Sequence, residues 1–361
     1  MSRSPRKSRS GRGAVSNRPG RFARDAVEAE PAGEWADELD ALPKLATAVR
    51  SEAAKSIISR NASPDVPFEQ SINPYRGCEH GCVYCFARPT HSYLDLSPGL
   101  DFETRLVAKD NAVERLEAEF RRRGYVCKPI TIGANTDPYQ PIERDRRITR
   151  GLLETMLEYR HPVSLITKGA PVERDLDVLG ELAGLGLVSV HVSVTSLDEH
   201  LKRRLEPRAA SARARLRVVR RLSAAGVPVG ALIAPLIPAL NDHEIEALVE
   251  AVAEAGAVGA GYVLLRLPWE VRDLFVEWLQ THYPERAGHV MSLVRQSRGG
   301  RDYDAEWGQR MKGTGPFAGL IEQRFRRACH RAGLGRRADI ELRTDRFRVP
   351  ARSGEQFSLG L

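Results

Sequence analysis

The sequence has no hydrophobic run long enough to cross a membrane, since no stretch approaches about 18 uninterrupted apolar residues. Its N-terminus is polar and arginine-rich with no apolar segment behind it, which argues against a secretory signal peptide. We therefore expect a soluble cytoplasmic protein without a membrane partner. The 361 residues contain 42% hydrophobic residues, enough to bury the core of one large domain or two ordinary ones.

Acidic residues are absent from the first 24 positions, and this absence accounts for the net charge. The chain carries 55 Lys and Arg against 47 Asp and Glu, a formal charge of +8. The eight basic residues in positions 1–24 equal that surplus, so the basic balance does not indicate a nucleic-acid-binding body. Because the segment is rich in Ser, Gly and Pro, we expect residues 1–33 to form a disordered basic tail. It is either a plain leader or a non-specific contact for phosphates.

No G-x-G-x-x-G segment follows an apolar run, which removes the main signature of a dinucleotide-binding sheet. After a polar, partly helical lead-in (34–66), strand-like runs alternate with amphipathic ones. Strands are predicted near 69–74, 129–134, 162–167, 187–194, 227–234 and 260–266, and helices near 111–123, 146–160, 173–184, 211–225, 242–255 and 269–281. This alternation predicts an α/β core over 67–284 with a parallel sheet, either open or closed into a full or partial barrel. Residues 285–361 are expected to form a C-terminal helical extension.

Cysteine is scarce, and its distribution is informative. Three of the five cysteines, Cys78, Cys82 and Cys85, have the spacing C-x3-C-x2-C. An odd number of cysteines without a signal peptide argues against a disulfide framework. Three thiolates on one loop are able to hold three irons of a 4Fe-4S cluster, leaving the fourth iron open. The alternative is a zinc site completed by His80 or His91. A single catalytic thiol would not explain three cysteines.

At these residues the chain resembles the radical S-adenosylmethionine (SAM) superfamily, whose signature has this cysteine spacing and an aromatic residue, here Tyr84, before the last cysteine. The longer segments NPYRGCEHGCVYCFARPTH, LDLSPGLDFETR, IGANTDPYQPIE, LITKG, SVTSLD, LEPRA and APLIPALND resemble the branch related to spore photoproduct lyase. The resemblance spans about residues 67–330. It implies a partial (βα)6 barrel of the TIM type, followed by the C-terminal extension.

The resemblance also implies the chemistry. Cys78, Cys82 and Cys85 would hold the 4Fe-4S cluster, and its open iron would bind SAM. An external electron donor would then drive reductive cleavage of SAM to a 5′-deoxyadenosyl radical, which abstracts hydrogen from an unknown substrate. Further cofactor contacts are expected at the carboxyl ends of the strands. The candidates are Tyr84, Asn135, Thr136, Asp137, Lys168, Ser193, Thr195 and Arg208. No catalytic residue is assigned, and each candidate also has an ordinary structural interpretation as a core, turn or strand-end residue.

One departure separates this sequence from the photoproduct lyases, which keep a hydrogen-donating cysteine in the loop after the second strand. That loop here, residues 133–137, contains none. Cys127 precedes the strand and, with Cys329, is expected to be a structural thiol. The basic run at 202–221 is either a nucleic-acid groove or a solvated helix face. A nucleic-acid repair or modification enzyme is therefore the first alternative, and a non-enzymatic zinc or cluster module that binds nucleic acid is the second.

Overall fold

The computed structural model of the chain describes residues 11–23, 45–336 and 340–351. Its strands fall into two sheets. The strands are β1 (Ala48–Glu52), β2 (Ile58–Arg60), β3 (Gln70–Ile72), β4 (Tyr75–Arg76), β5 (Arg105–Lys109), β6 (Ile130–Ile132), β7 (Val163–Thr167), β8 (Val188–Ser193), β9 (Val229–Leu236), β10 (Gly259–Leu264) and β11 (Gly335–Arg336).

Helices occupy most of the segments between these strands. The α-helices are α1 (Asp101–Thr104), α2 (Ala112–Phe120), α3 (Glu143–Arg146), α4 (Ile148–Glu158), α5 (Leu176–Gly184), α6 (Glu199–Leu205), α7 (Ala212–Ala224), α8 (Ile245–Glu254), α9 (Glu270–His282), α10 (Pro284–Gln296) and α11 (Gly315–Arg331), with 3-10 helices at Arg88–Leu94, Ala170–Asp175 and Asp242–Glu244. Within the described ranges, no helix combines the length and the apolar character needed to cross a bilayer.

The larger sheet has eight strands in the order β11-β10-β9-β8-β7-β6-β3-β2. All neighbours pair in parallel except β2, which pairs antiparallel with β3. The six predicted strands are β3, β6, β7, β8, β9 and β10, and the predicted helices are α2, α4, α5, α7, α8 and α9. The α/β class with a parallel sheet is thus confirmed. No pairing among the described residues joins the two edges, so the sheet is not a closed barrel.

The two faces of the sheet differ in polarity. One face is apolar, and residues such as Ile132, Leu165 and Val190 are fully buried in the main hydrophobic core. On the opposite face, Thr131, Ser164 and Ser189 are register neighbours and line a cavity of about 100 Å³ together with apolar residues such as Phe68 and Ile166. Because successive strand residues point to opposite faces, the apolar core lies on one side of these strands and the cavity on the other.

A second sheet lies next to the segment that carries the cysteines. In it β5 pairs in parallel with β1 and antiparallel with β4. The prediction of a partly helical lead-in is wrong for the described residues 45–60, which contain β1 and β2 instead. Most side chains of β1 are exposed or half-buried, so the strand depends on backbone pairing and shows no apolar alternation in the sequence. Residues 34–44 lie outside the described residues.

The predicted disordered tail is also wrong for its described part, residues 11–23. Arg12 and Ala14 are buried there, and the Ala14 N–H donates to Glu103 at 2.8 Å. The tail was predicted from its polar composition, which does not reveal that its backbone and arginine side chains find partners in the body. Residues 1–10 and 24–33 lie outside the described residues. In the C-terminal extension, α10 and α11 agree with the predicted helical character.

Candidate active site

The three clustered cysteines lie on a loop between β4 and the 3-10 helix Arg88–Leu94, which we call the cysteine loop (residues 77–88). Glycines with a positive φ, 76° at Gly77 and 68° at Gly81, allow the turns in this loop because they lack a Cβ atom. Cys78 donates its N–H to the Phe102 carbonyl at 2.9 Å. All three cysteines are free thiols, and only Cys85 is partly exposed.

Burial dominates the electrostatics of these thiols. It raises the pKa of Cys78, and the charges of Asp137, Cys82 and Cys85 raise it further. The pKa of Cys85 is also raised, again mainly by burial. The charges of Cys82 and Cys85 raise the pKa of Cys78, so the three thiols lie close together, as the C-x3-C-x2-C spacing predicts.

The donor set on this loop consists of three free thiols. In the described part of the chain, no group of three or more His, Cys, Asp or Glu side chains is placed to hold a single metal ion. Each of the two histidines considered as zinc ligands has one ring nitrogen near another polar group. His91 Nε2 lies 2.9 Å from the Arg105 carbonyl oxygen, and His80 Nδ1 lies 3.3 Å from Asp137 Oδ2. Three free thiols on one loop fit a cluster in which each thiolate takes a different iron.

A buried ion pair fixes the backbone of the cysteine loop. Arg88 and Glu103 are both fully buried, and the guanidinium of Arg88 donates to the Glu103 carboxylate. Arg88 also donates to the carbonyls of Cys82 at 2.8 Å and Gly81 at 3.2 Å, and to those of Pro98 and Gly99. The planar fork of an arginine is suited to such a set of acceptors. Both members of this pair lie within quoted motifs, but neither is among the residues predicted for the site.

A second buried carboxylate, Glu206, lies beside the loop after α6. Its Oε1 accepts hydrogen bonds from the hydroxyls of Tyr84 and Thr195 and lies 3.5 Å from Lys168 Nζ. Its other oxygen accepts from Arg215. Burial alone would raise the pKa of Glu206, but the positive charges of Arg215 and Lys168 lower it overall. Glu206 therefore remains ionised in the interior.

Glu206 joins three of the predicted site residues, namely Tyr84, Lys168 and Thr195, but is not itself among the predicted residues. The signal for it in the sequence is the LEPRA segment, which contains both Glu206 and the predicted Arg208. Arg208 Nη2 lies 3.0 Å from Glu79 Oε1, so it lies beside the first turn of the cysteine loop. Ser193 is buried at the end of β8, and its carbonyl accepts from Arg215 at 3.0 Å.

The predicted residues after β6 are close together but serve different contacts. Asn135 is exposed, whereas the Thr136 hydroxyl donates to the Tyr75 carbonyl at 2.8 Å. Asp137 accepts from the Lys168 N–H at 2.6 Å and from the Thr167 hydroxyl at 2.7 Å. Burial opposes ionisation of Asp137, but His80 and these donors lower its pKa overall. Asp137 thus ties the ends of β6 and β7 together.

Comparison with known proteins identifies the family. Residues 72–252, which include most of the site, match the family model described as Radical SAM superfamily. This chain belongs to the radical SAM superfamily. An uncharacterized protein of Mycobacterium tuberculosis is 37% identical over 233 residues, which cover 64% of this chain and 68% of that protein. An uncharacterized protein of Methanocaldococcus jannaschii is 26% identical over 214 residues, covering 59% of this chain and 76% of that protein.

Solved structures of spore photoproduct lyase share the fold of this radical SAM protein. The structure of that lyase complexed with dinucleoside spore photoproduct is 17% identical, covers 79% of this chain and 80% of the lyase chain, and gives a TM-score of 0.57. A second structure of the lyase, a mutant with bound AdoMet and dinucleoside spore photoproduct, gives a TM-score of 0.58 at the same identity and coverage. At this identity the likeness shows the fold alone.

The basic run 202–221 of this radical SAM protein does not form one solvated face. Arg215 is buried against Glu206. Lys202 is also buried, and its ammonium donates to the Ala209 carbonyl. On the exposed side, Arg217 and Arg221 both pair with Glu173. Several of these positive charges are therefore already neutralised or buried within the protein.

Of the cysteines outside the cluster of three, Cys329 is buried on α11 and Cys127 is half-buried just before β6. Burial raises the pKa of Cys127 to about 12 and that of Cys329 to about 11. The raised pKa values favour the protonated thiol near neutral pH; the structural role of these two cysteines stays a prediction.

Substitution of Glu206 tests whether the buried network supports the fold. Glu206→Gln keeps the shape but leaves the Arg215 charge without a counterion, so we expect the free energy of unfolding to fall by roughly 3–5 kcal/mol. Urea denaturation measures this. The control Arg217→Gln removes an exposed pair with Glu173 and should cost less than about 1 kcal/mol. Equal stability of the two variants would contradict the role assigned to Glu206.

Proposed function

We propose that this chain is an enzyme that holds a 4Fe-4S cluster on Cys78, Cys82 and Cys85 and cleaves SAM reductively. The observation that carries the proposal is the cysteine loop itself, with three free thiols on glycine turns held by a buried arginine. When bound, the cluster would pass one electron from an external donor to SAM, and this reductive cleavage would supply a 5′-deoxyadenosyl radical for hydrogen abstraction from a substrate.

The predicted site residues of this chain form two groups. One group is able to contact SAM, and the other holds the first group in position. We assign direct contact to Lys168, to Asn135 and to Ser193 at the end of β8. The Lys168 ammonium is partly exposed and lies 6.0 Å from the centroid of the Tyr84 ring. An ammonium at that place suits the SAM carboxylate, and the exposed amide of Asn135 suits the methionyl amine.

The remaining predicted residues act mainly as supports in this proposal. The hydroxyls of Tyr84 and Thr195 already donate to Glu206, and that of Thr136 donates to a backbone carbonyl. Asp137 fixes the backbone of Lys168, while Arg208 pairs with Glu79 in the cysteine loop. The contacts of Glu206 and Asp137 restrict the positions of Tyr84 and Lys168.

We further infer that the larger sheet curves as a partial (βα)6 barrel, with β3, β6, β7, β8, β9 and β10 as its six strands. Parallel order and the common fold with spore photoproduct lyase support this. The carboxyl ends of these strands then surround the cysteine loop, as expected for a barrel active site. The electron donor and the cytoplasmic location stay predictions from the sequence.

Cysteine substitution tests the proposed function directly. After anaerobic reconstitution, we expect about four irons and four sulfides per chain, and formation of 5′-deoxyadenosine from SAM with a strong reductant. Cys82→Ser should lose most of the iron and all of the SAM cleavage. Iron and sulfide analysis and chromatography of the nucleoside products measure both effects.

The matched control is Cys127→Ser, which changes a thiol outside the cysteine loop and should retain both properties. A colourless, zinc-containing protein that leaves SAM intact under strictly anaerobic conditions would overturn the proposal. It would favour the alternative of a metal-binding module without enzymatic activity.

A nucleic-acid substrate is the second candidate, and one surface feature favours it. The guanidinium of Arg21 lies 4.1 Å from the ring centroid of Trp269, 5.2 Å from that of Phe22 and 5.8 Å from that of Tyr93. All three rings are exposed. Exposed aromatic rings beside an arginine are typical of surfaces on which unpaired bases stack.

Binding of a fluorescent single-stranded oligonucleotide, followed by anisotropy at increasing salt, tests this candidate. Loss of a stacking ring in Trp269→Ala should weaken binding by about 5- to 160-fold, because one stacked base contributes about 1–3 kcal/mol. Trp307→Ala removes another exposed tryptophan outside this group of rings and should bind as the wild type does. Absence of binding, or equal effects of the two variants, would exclude this surface as a nucleic-acid site.

A further inference from the structure

The described part of the basic N-terminal segment packs directly on the cysteine loop. We call residues 12–18 the N-terminal strap. A Cβ atom built on Gly13 would lie 1.7 Å from the carbonyl oxygen of Gly81. The φ of Gly13 lies outside the left-handed range, so glycine is needed there for space and not for backbone conformation. The strap therefore lies too close to the loop for any side chain at this position.

The strap and the cysteine loop share one carboxylate. Glu103 accepts the N–H of Gly13 at 3.0 Å and that of Ala14 at 2.8 Å, in addition to the guanidinium of Arg88. Arg12 donates to the Glu103 carbonyl at 2.9 Å. Because Glu103 is fully buried, the two strap N–H groups and the Arg88 guanidinium replace water as partners for its charge. Loss of the strap would leave the carboxylate with fewer partners.

Apolar contact adds to these polar ones. Val15 is buried in the same hydrophobic cluster as Cys82, Val83 and Tyr84. Beyond it, Ser16 and Arg18 donate to the Glu277 carboxylate on α9, at 2.5 Å and 2.9 Å. The strap is thus fixed to the body on both sides of the point where it touches the loop.

We propose that the N-terminal strap completes the binding site for the cluster, with Gly13 and Val15 as positioning residues for the Gly81–Val83 part of the cysteine loop. The strap covers this part of the loop from outside, which keeps the Cys82 backbone in the conformation set by Arg88 and limits access of solvent to the bound iron. The role toward iron rests on the proposed function, whereas the role toward the loop does not.

Hydrogen exchange of the full-length protein without metal tests the positioning role. Gly13→Ala should accelerate exchange of the amides in residues 81–88 by about tenfold, since the added methyl group forces the strap away from the Gly81 carbonyl. Exchange in β8 should remain unchanged, which distinguishes a local effect from general destabilisation. The control Gly319→Ala adds a methyl group on α11 where no atom lies within 4 Å and should exchange as the wild type does.

After reconstitution, iron release to a chelator gives the second readout. We expect it to be about tenfold faster in Gly13→Ala than in the wild type, and unchanged in Gly319→Ala. Val15→Ala, which removes only part of the apolar contact, should accelerate amide exchange and iron release in the same way but by a smaller factor. It provides the test if Gly13→Ala fails to fold. Wild-type exchange in 81–88 and wild-type iron release in these variants would overturn the proposal.

Failure of the proposed function gives a different pattern. If the wild-type protein does not take up iron at all, the chelator measurement has no signal, but the exchange measurement still decides whether the strap holds the loop. Faster exchange in Gly13→Ala without any iron uptake by the wild type would keep the strap as a structural element and remove its role toward a cluster.

Discussion

The fully buried ion pair between Arg88 and Glu103 determines the shape of the cysteine loop. Burying two charges is costly, and the cost is offset only when each finds several well-placed partners. Here Arg88 donates to four backbone carbonyls, including that of Cys82, while Glu103 accepts from Arg88 and from the strap. The loop, the segment before α1 and the N-terminal strap therefore all contact the same pair, and removal of either charge would weaken the contacts that hold the loop.

Glu206 is the buried carboxylate of the adjacent part of the site, as Glu103 is for the cysteine loop. It contacts Tyr84, Thr195 and Lys168 and so keeps these three side chains together. The fold is that of spore photoproduct lyase, yet the loop after β6 contains no cysteine. A shared scaffold with different side chains at the strand ends is the usual way in which one fold serves different reactions.

Apolar periodicity predicted the strands β6 to β10 and the helices that cover them, because these elements bury one face in a common core. The cysteine spacing likewise located the loop. Apolar periodicity did not predict β1, because this strand is held by backbone pairing. Composition predicted disorder for the strap, which is instead packed on the body. Its partners are remote: Arg12 bonds to a carbonyl 91 residues away. Arg88 and Glu206 both lie within quoted motifs, but their roles do not follow from the sequence, since a buried charge is recognisable only from the partners that surround it.

We propose that three thiolates on this loop hold a cluster whose fourth iron remains open to SAM. Low-temperature electron paramagnetic resonance of the reconstituted and reduced protein, recorded before and after addition of SAM, is the decisive measurement. We expect the signal of one reduced 4Fe-4S cluster, with a line shape that changes when SAM coordinates the open iron. A cluster signal that SAM leaves unchanged, or no cluster signal after full reconstitution, would contradict it.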